Sequence, residues 1–177
     1  MNTKNLYEKE DYDIYSIYYT DEECTKPYTG HVEEYWRGKL SWEADIVNGF
    51  MQGVTKEYND RSGILETAME MKQNKVNGLE FGYYENGKIA SISIWVENVE
   101  IDYCHYDEAG RLTEQFILPE PYDILGINML GIRDKILEVR KKYNLEKLNE
   151  EILKYGRPMK YGMPIYPVQL LDDKKGV

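Results

Sequence analysis

Two histidines are all the imidazole that this 177-residue sequence offers. His31 stands beside Glu33 and Glu34, and His105 beside Cys104 and Asp107, so each could seed a metal or nucleophile cluster. On a strand, adjacent side chains point to opposite faces, so Cys104 and His105 cannot converge on one atom. Both histidines are expected to be ordinary strand positions, and no metal ligand set is predicted. The glycines form neither G-x-G-x-x-G nor G-x-x-x-x-G-K-[ST], which removes the usual phosphate cradle. Cys24 and Cys104 lie far apart with no Cys-x-x-Cys spacing, so both read as free thiols of a reducing compartment. The 32 Asp and Glu could supply a general acid and base, but no spacing singles out a pair. The expectation is a chain with no catalytic residue and no cofactor.

Binding is a better use for these side chains. Glu43, Asp45, Glu66 and Glu70 are predicted to project from two neighbouring strands as a two-by-two carboxylate grid, about 5 Å between strands and 7 Å along them. Glu34 and Glu57 add charge from the strands before them, with Trp36 and Tyr84 at equivalent outward positions. Repulsion within such a grid would be relieved by Arg or Lys from a partner, with charge-assisted hydrogen bonds and faster association. The mixture of acids and aromatics suits a protein interface. The plain alternative is a solvated acidic face that aids solubility.

Net charge supports the same direction. The formal charge is −10, and residues 28–118 hold 8 Lys and Arg against 16 Asp and Glu. Nucleic acid and anionic membranes are disfavoured as partners, because approach to phosphates would add repulsion. No apolar run reaches the length of a membrane helix, and the opening MNTKNLYEKEDYDIY is charged where a secretory signal would be apolar. A cytoplasmic protein is expected. The 17 Tyr against 3 Phe give much of the apolar surface a polar tip, as thin sheets and contact surfaces require.

The elements that must carry these residues follow from an internal repeat. Asn-Gly, the strongest short signal for a tight hairpin turn, occurs twice in VNGLEFGYYENGKI (Val76 to Ile89). Three units align: Tyr28 to Met51, Gln52 to Val76 and Asn77 to Glu100, with a shorter fourth from Ile101 to Leu118. Gly30, Gly53 and Gly78 open the first three, with Asp102 near the matching place in the fourth. The inner turns carry Gly38, Gly63, Gly87 and Gly110, spaced 25, 24 and 23 apart. Tyr35, Tyr58, Tyr83 and Tyr106 precede them, and Leu40, Leu65, Ile89 and Leu112 follow. A fixed order at a period near 24 is the mark of a repeat architecture. Two short runs per unit make each a β-hairpin, and the stacked hairpins are predicted to form one twisted antiparallel sheet.

Alternation within the second strands assigns the faces. Leu40, Ala44 and Ile46 are predicted inward against Ser41, Glu43 and Asp45, and Leu65, Met69 and Met71 inward against Glu66, Ala68 and Glu70. In the third and fourth units Ala90, Ile92, Ile94 and Ile117 occupy outward positions, so both faces are apolar. Either the C-terminal segment or a partner must cover Ile92, Ile94 and Ile117. That segment begins after Pro119-Glu120-Pro121. Ile132, Ile136, Val139 and Tyr143, then Leu145, Leu148, Ile152 and Tyr155, recur at helical spacing, and Gly156 and Pro158 stop the pattern. Asn144 either divides two helices or lies within one. The tail from Arg157 is predicted to run extended, and Asp11 to Thr20 to form one strand.

The fold class expected is mainly β, with a C-terminal α-helical segment. Residues 1–27 would be an N-terminal strand and lead-in, 28–118 the four repeats, and 119–177 a helical segment and tail packed on them.

The motif of a Gly, an aromatic pair, Asn-Gly-Lys and an apolar strand, most complete in NGLEFGYYENGKI, resembles the variant MORN repeat of bacteria. The lead-in KPYTGHVEEYWRGKL is similar to the start of the YwqK-like antitoxin family built from such repeats. The resemblance covers roughly residues 12–118; the second turn carries one extra residue, and Asp107-Glu108-Ala109-Gly110 lacks the Asn. It implies a ladder of hairpins and a non-enzymatic immunity role, neutralising a basic cognate toxin of nuclease or deaminase type by stoichiometric binding. The alternative is a structural adaptor that holds cellular proteins without inhibiting them. A small-molecule hydrolase using a carboxylate pair, which would need a deep pocket, stands as a third possibility.

Overall fold

The computed structural model describes residues 1–10, 16–120 and 131–159. The chain is mainly β. Eight antiparallel strands follow one another across a sheet in sequence order: β3 (Gly30–Trp36), β4 (Lys39–Val47), β5 (Phe50–Tyr58), β6 (Leu65–Lys72), β7 (Lys75–Tyr83), β8 (Ile89–Val96), β9 (Val99–Tyr106) and β10 (Leu112–Ile117). A separate hairpin of β1 (Tyr7–Glu10) and β2 (Ser16–Tyr19) precedes it. Helices α1 (Arg133–Lys142) and α2 (Leu145–Tyr155) follow. The first part of the predicted Asp11 to Thr20 strand, Pro121 and the tail beyond Met159 lie outside the described residues.

The repeat is written into the turns. Arg37-Gly38, Asn48-Gly49, Gln73-Asn74 and Glu97-Asn98 each join two strands with both φ angles positive, the two-residue turn whose twist matches the strands. Asn74 and Asn98 reach back one hairpin, accepting from the N–H of Met51 and Val76 at 2.6 Å in both cases. The Asn77-Gly78 pair is not a turn, although its sequence signals one; it lies inside β7. Gly78 has φ +136° and a Cβ there would sit 2.0 Å from Oε2 of Glu70, so the glycine admits that carboxylate rather than bending the chain.

Each hairpin also carries a bulge that alternation alone does not reveal. Tyr35 pairs with Leu40, Tyr58 with Leu65, Tyr83 with Ile89 and Tyr106 with Leu112, and the register shifts next to each pair. The extra residues are Ser41, Glu66, Ala90 and Thr113, again one repeat apart. One inserted residue reverses the face of everything before it. Leu40 therefore packs with the core of the later units, while Ala44 and Ile46 belong to a separate cluster. Ala68, expected outward, is fully buried, and Ile89 joins Ile92 and Ile94 on one face.

Two rows of cross-strand partners define the faces. One runs Glu33, Glu43, Lys56, Ala68, Phe81, Ile92, Cys104 and Gln115. The other runs Glu34, Trp42, Glu57, Thr67, Gly82, Ser91, His105 and Glu114. The first row is charged at its start, ends in the exposed Gln115 on β10, and is apolar from β6 to β9. There α1 and α2 cover it: Ile136, Tyr143, Leu145, Leu148 and Ile152 join Leu79, Phe81, Ile92, Ile94 and Cys104 in the main core. Each such buried side chain stabilises by roughly 1.5–3 kcal/mol. The second face is covered at the opposite end, where Tyr18 and Leu6 pack on Val32, Ala44 and Ile46. The hairpin and the helices thus clothe opposite faces at opposite ends of the sheet.

The helix pair answers the question of cover for Ile92 and Ile94, both fully buried, but not for Ile117, which is 39% exposed. Asn144 divides the helices, its side chain accepting from Lys147 N at 2.8 Å as an N-cap, and Gly156 closes α2 in a left-handed conformation. Tyr155 is exposed rather than part of the buried stripe. Among the described residues, no helix is long and apolar enough to cross a membrane.

Candidate functional site

The carboxylate grid does not form as predicted. β5 lies between β4 and β6, so Glu43 and Asp45 are two strands away from Glu66 and Glu70, about 9.5 Å apart by strand spacing. The second strands of successive hairpins are next-nearest neighbours, because every first strand intervenes. The four carboxylates also have partners within the chain. Glu43 accepts from Lys56 Nζ at 2.7 Å and from the Tyr58 hydroxyl at 2.5 Å. Burial alone would raise its pKa, but these two hydrogen bonds leave it below the usual carboxylate range. Asp45 pairs with His31. Glu66 accepts from Asn59 Nδ2 at 2.6 Å. Glu70 accepts from Leu79 N at 2.9 Å and from the Tyr143 hydroxyl, with Lys142 Nζ at 3.4 Å, and so ties the sheet to the helices. Tyr84 donates to the carbonyl of Tyr106 at 2.6 Å and braces two hairpins together.

The remaining predicted residues meet elsewhere. Glu34, Trp36, Glu57 and Glu66 line one open cleft of about 960 Å³. It lies where the second face emerges from under the N-terminal hairpin. Glu34 and Glu57 flank Trp42 in the cross-strand row, and Tyr18 and Glu8 come from the hairpin. The bulge at Ser41 and the turn at Asn59 form the far wall. The Ser41 hydroxyl donates to the Glu34 carbonyl at 3.1 Å, which fixes that bulge. Asn59 folds its turn by accepting from Arg61 N at 2.9 Å and Ser62 N at 2.8 Å, while Lys39 Nζ donates to the Arg61 carbonyl.

Charge dominates this cleft. Among the described residues lining it, Glu8, Glu34, Glu57, Asp60, Glu66 and Glu85 face a single basic residue, Arg61. The Glu57 carboxyl is pushed above its ordinary value by burial and then by Glu66. The Tyr18 hydroxyl is pushed up to about 12 by burial, then by Glu8 and Glu34. Burial is the larger cause of both shifts, and the neighbouring carboxylates add to it. Trp36, more than half exposed, and Trp42 supply aromatic wall beside the acids.

Sequence reasoning missed Glu8, Tyr18, Trp42 and the Asn59 to Ser62 turn. The extra residue in the second turn was a signal for that turn alone. Cys104 is buried, its thiol pushed up to about 11 by burial, as suits an inert core position. His105 lies on the other face, 3.4 Å from Glu114.

Comparison with known proteins finds no matching family model and no matching curated sequence. Two solved chains match, among them a mutant of S. aureus TarM in complex with fondaparinux, alpha-GlcNAc-glycerol and UDP. The likeness has a TM-score of 0.34 at 12% identity, over 66% of this chain and 20% of that one. This chain spans about a fifth of that protein's length, and a likeness so distant carries no argument about function.

Proposed function

We propose that this chain is a non-enzymatic immunity protein, which neutralises a cognate protein toxin by binding a basic segment of it in the acidic, aromatic cleft. The observation that carries the reading is the cleft itself: six carboxylates against one guanidinium, walled by Trp36, Trp42, Tyr18 and Tyr58. A partner's Arg or Lys entering it would gain charge-assisted hydrogen bonds and relieve the repulsion felt by Glu57, and aromatic faces would receive the cation. Occlusion of a toxin needs only affinity and complementary charge, which a rigid hairpin ladder supplies without catalytic geometry. A polyphosphate would meet repulsion in the same cleft.

The test is charge reversal. Glu34→Lys, Glu57→Lys and Glu66→Lys together should weaken binding of the toxin by at least 100-fold and abolish protection. Glu114→Lys, on the same face but outside the cleft, should change little. Retained affinity in the triple variant would remove the cleft from the reading, and several weak partners in place of one tight one would favour an adaptor. One observation favours a second reading: a Glu57 carboxyl with a raised pKa beside Glu66 in a large cleft is also what a carboxylate-pair hydrolase would use. Glu57→Gln separates the two, because it would abolish hydrolysis of a small substrate while only weakening protein binding.

A further inference from the structure

At the uncovered start of the first face, β3 and β4 gather His31 with three carboxylates. His31 Nε2 lies 3.2 Å from Oε2 of Glu43 and 4.0 Å from Oε1 of Glu33, while Nδ1 lies 2.8 Å from Oδ1 of Asp45. His31 and Glu33 share a face because they are two residues apart on β3, and Asp45 and Glu43 are their direct partners on β4. One ligand atom from each of His31, Glu33 and Glu43 lies within 4.8 Å of the others. A tetrahedral ion with bonds of about 2.1 Å needs its ligand atoms roughly 3.4 Å apart, so small rotamer adjustments close the site.

The hydrogen-bonding capacities of these groups ask for a cation. If Nδ1–H is donated to Asp45, Nε2 presents a lone pair to two anionic oxygens. That arrangement is favourable only with a proton or a metal ion between them. The atoms turned away from this point are fixed by other residues. The Tyr35 hydroxyl donates to Oε2 of Glu33 at 3.0 Å, and Lys56 and Tyr58 both donate to Oε1 of Glu43. Asp45 on Nδ1 completes the carboxylate–histidine arrangement that orients metal-bound imidazoles. The side chains of His31, Glu33 and Glu43 are 45%, 37% and 15% exposed, which leaves an entry path.

We propose that His31, Glu33 and Glu43 form a binding site for a divalent first-row transition ion of the Zn²⁺ class, with water completing its coordination. One imidazole and two carboxylates suit Zn²⁺ better than the all-oxygen shells of Ca²⁺ or Mg²⁺. The site lies on the other face from Glu34 and Glu57 and shares only Tyr58 with the lining of the cleft, so its Zn²⁺ test is independent of the immunity reading.

The experiment titrates Zn²⁺ into the untagged, chelator-treated full chain, by calorimetry and by NMR of the two imidazole rings. One-to-one binding that shifts the His31 resonances and spares those of His105 is expected. His31→Gln should abolish it, and Asp45→Asn should weaken it about 10-fold or more by releasing the ring. Ca²⁺ at the same concentration should leave the His31 resonances in place. No heat and no shift with Zn²⁺ would overturn the proposal. Binding that persists in both His31→Gln and Glu33→Gln would do the same.

Discussion

Removing the Arg140 side chain should destabilise this protein more than any comparable surface change, and the geometry says by how much. Asp102 on β9 is only 2% exposed, and its carboxylate accepts from Arg140 Nε at 2.9 Å, from Arg140 Nη2 and from Leu118 N at 3.0 Å. Arg140 Nη2 also donates to the Leu118 carbonyl at 2.9 Å, so one guanidinium joins α1, β9 and the end of β10. Arg140→Met keeps the apolar stem but leaves a buried carboxylate with a single backbone donor. Breaking a buried pair from one side costs about 3–5 kcal/mol, against roughly 5–15 kcal/mol for a whole domain. At about 1.4 kcal/mol per tenfold, the folding equilibrium should fall by at least two decades. The double variant Asp102→Leu with Arg140→Met removes both charges and should recover most of the loss, because the pair itself adds little beyond an apolar contact. Equilibrium unfolding in urea, followed by far-ultraviolet circular dichroism, reads both. A loss under about 1 kcal/mol for Arg140→Met, or a double variant as unstable as the sum of its singles, would refute the reasoning.

Three other substitutions probe the frame of the site. The Glu80 carboxyl is pushed up to about 7 by burial, then by Glu100 and Glu57, so from about pH 4.5 to 7 the folded chain holds a proton that the unfolded chain has lost. Stability should therefore fall as pH rises through that window; Glu80→Gln should flatten the fall between pH 5 and pH 8, and equal urea midpoints for the unmodified protein at those values would contradict this. Tyr106→Phe strands the buried Asn149 amide that its hydroxyl meets at 2.9 Å, at a cost of about 1–3 kcal/mol in the same unfolding assay. Gly78→Ala would push a methyl group into Glu70 from a positive-φ position, so a loss of about 1–3 kcal/mol is expected, and an unchanged midpoint would show that Glu70 moves freely.

How much was legible in the sequence depends on the range of the determining contact. Gly38, Gly63, Gly87 and Gly110 recur with Tyr before and an aliphatic residue after, so the hairpins and their order could be read from local turn chemistry. The apolar outward positions Ile92 and Ile94 announced a cover, and the stripe from Ile132 to Ile152 offered one candidate for it beside a partner; the structure decides for the helices. Face assignment failed at Ser41, Glu66 and Ala90, because a bulge is a register choice between two strands and leaves no mark in either one's composition. That failure misplaced Leu40 and Ala68. The carboxylate grid failed on topology: Lys56 of β5 stands between Glu43 and β6. The cleft needs Tyr18 and Glu8 brought over Trp42 by pairing between β2 and the turn at Gly49, where Tyr18 N donates to the Gly49 carbonyl at 3.0 Å. Nothing local in either segment specifies that approach.

The most direct measurement for the central claim is a titration of the protein's partner, isolated by gentle pull-down from the source organism, against the unmodified chain and the Glu34→Lys, Glu57→Lys, Glu66→Lys variant. The account predicts one basic protein, bound one-to-one at nanomolar strength with its toxicity abolished, and a loss of at least 100-fold in the cleft variant. An equally tight complex with the variant, or a set of weak partners with no toxicity to suppress, would contradict it.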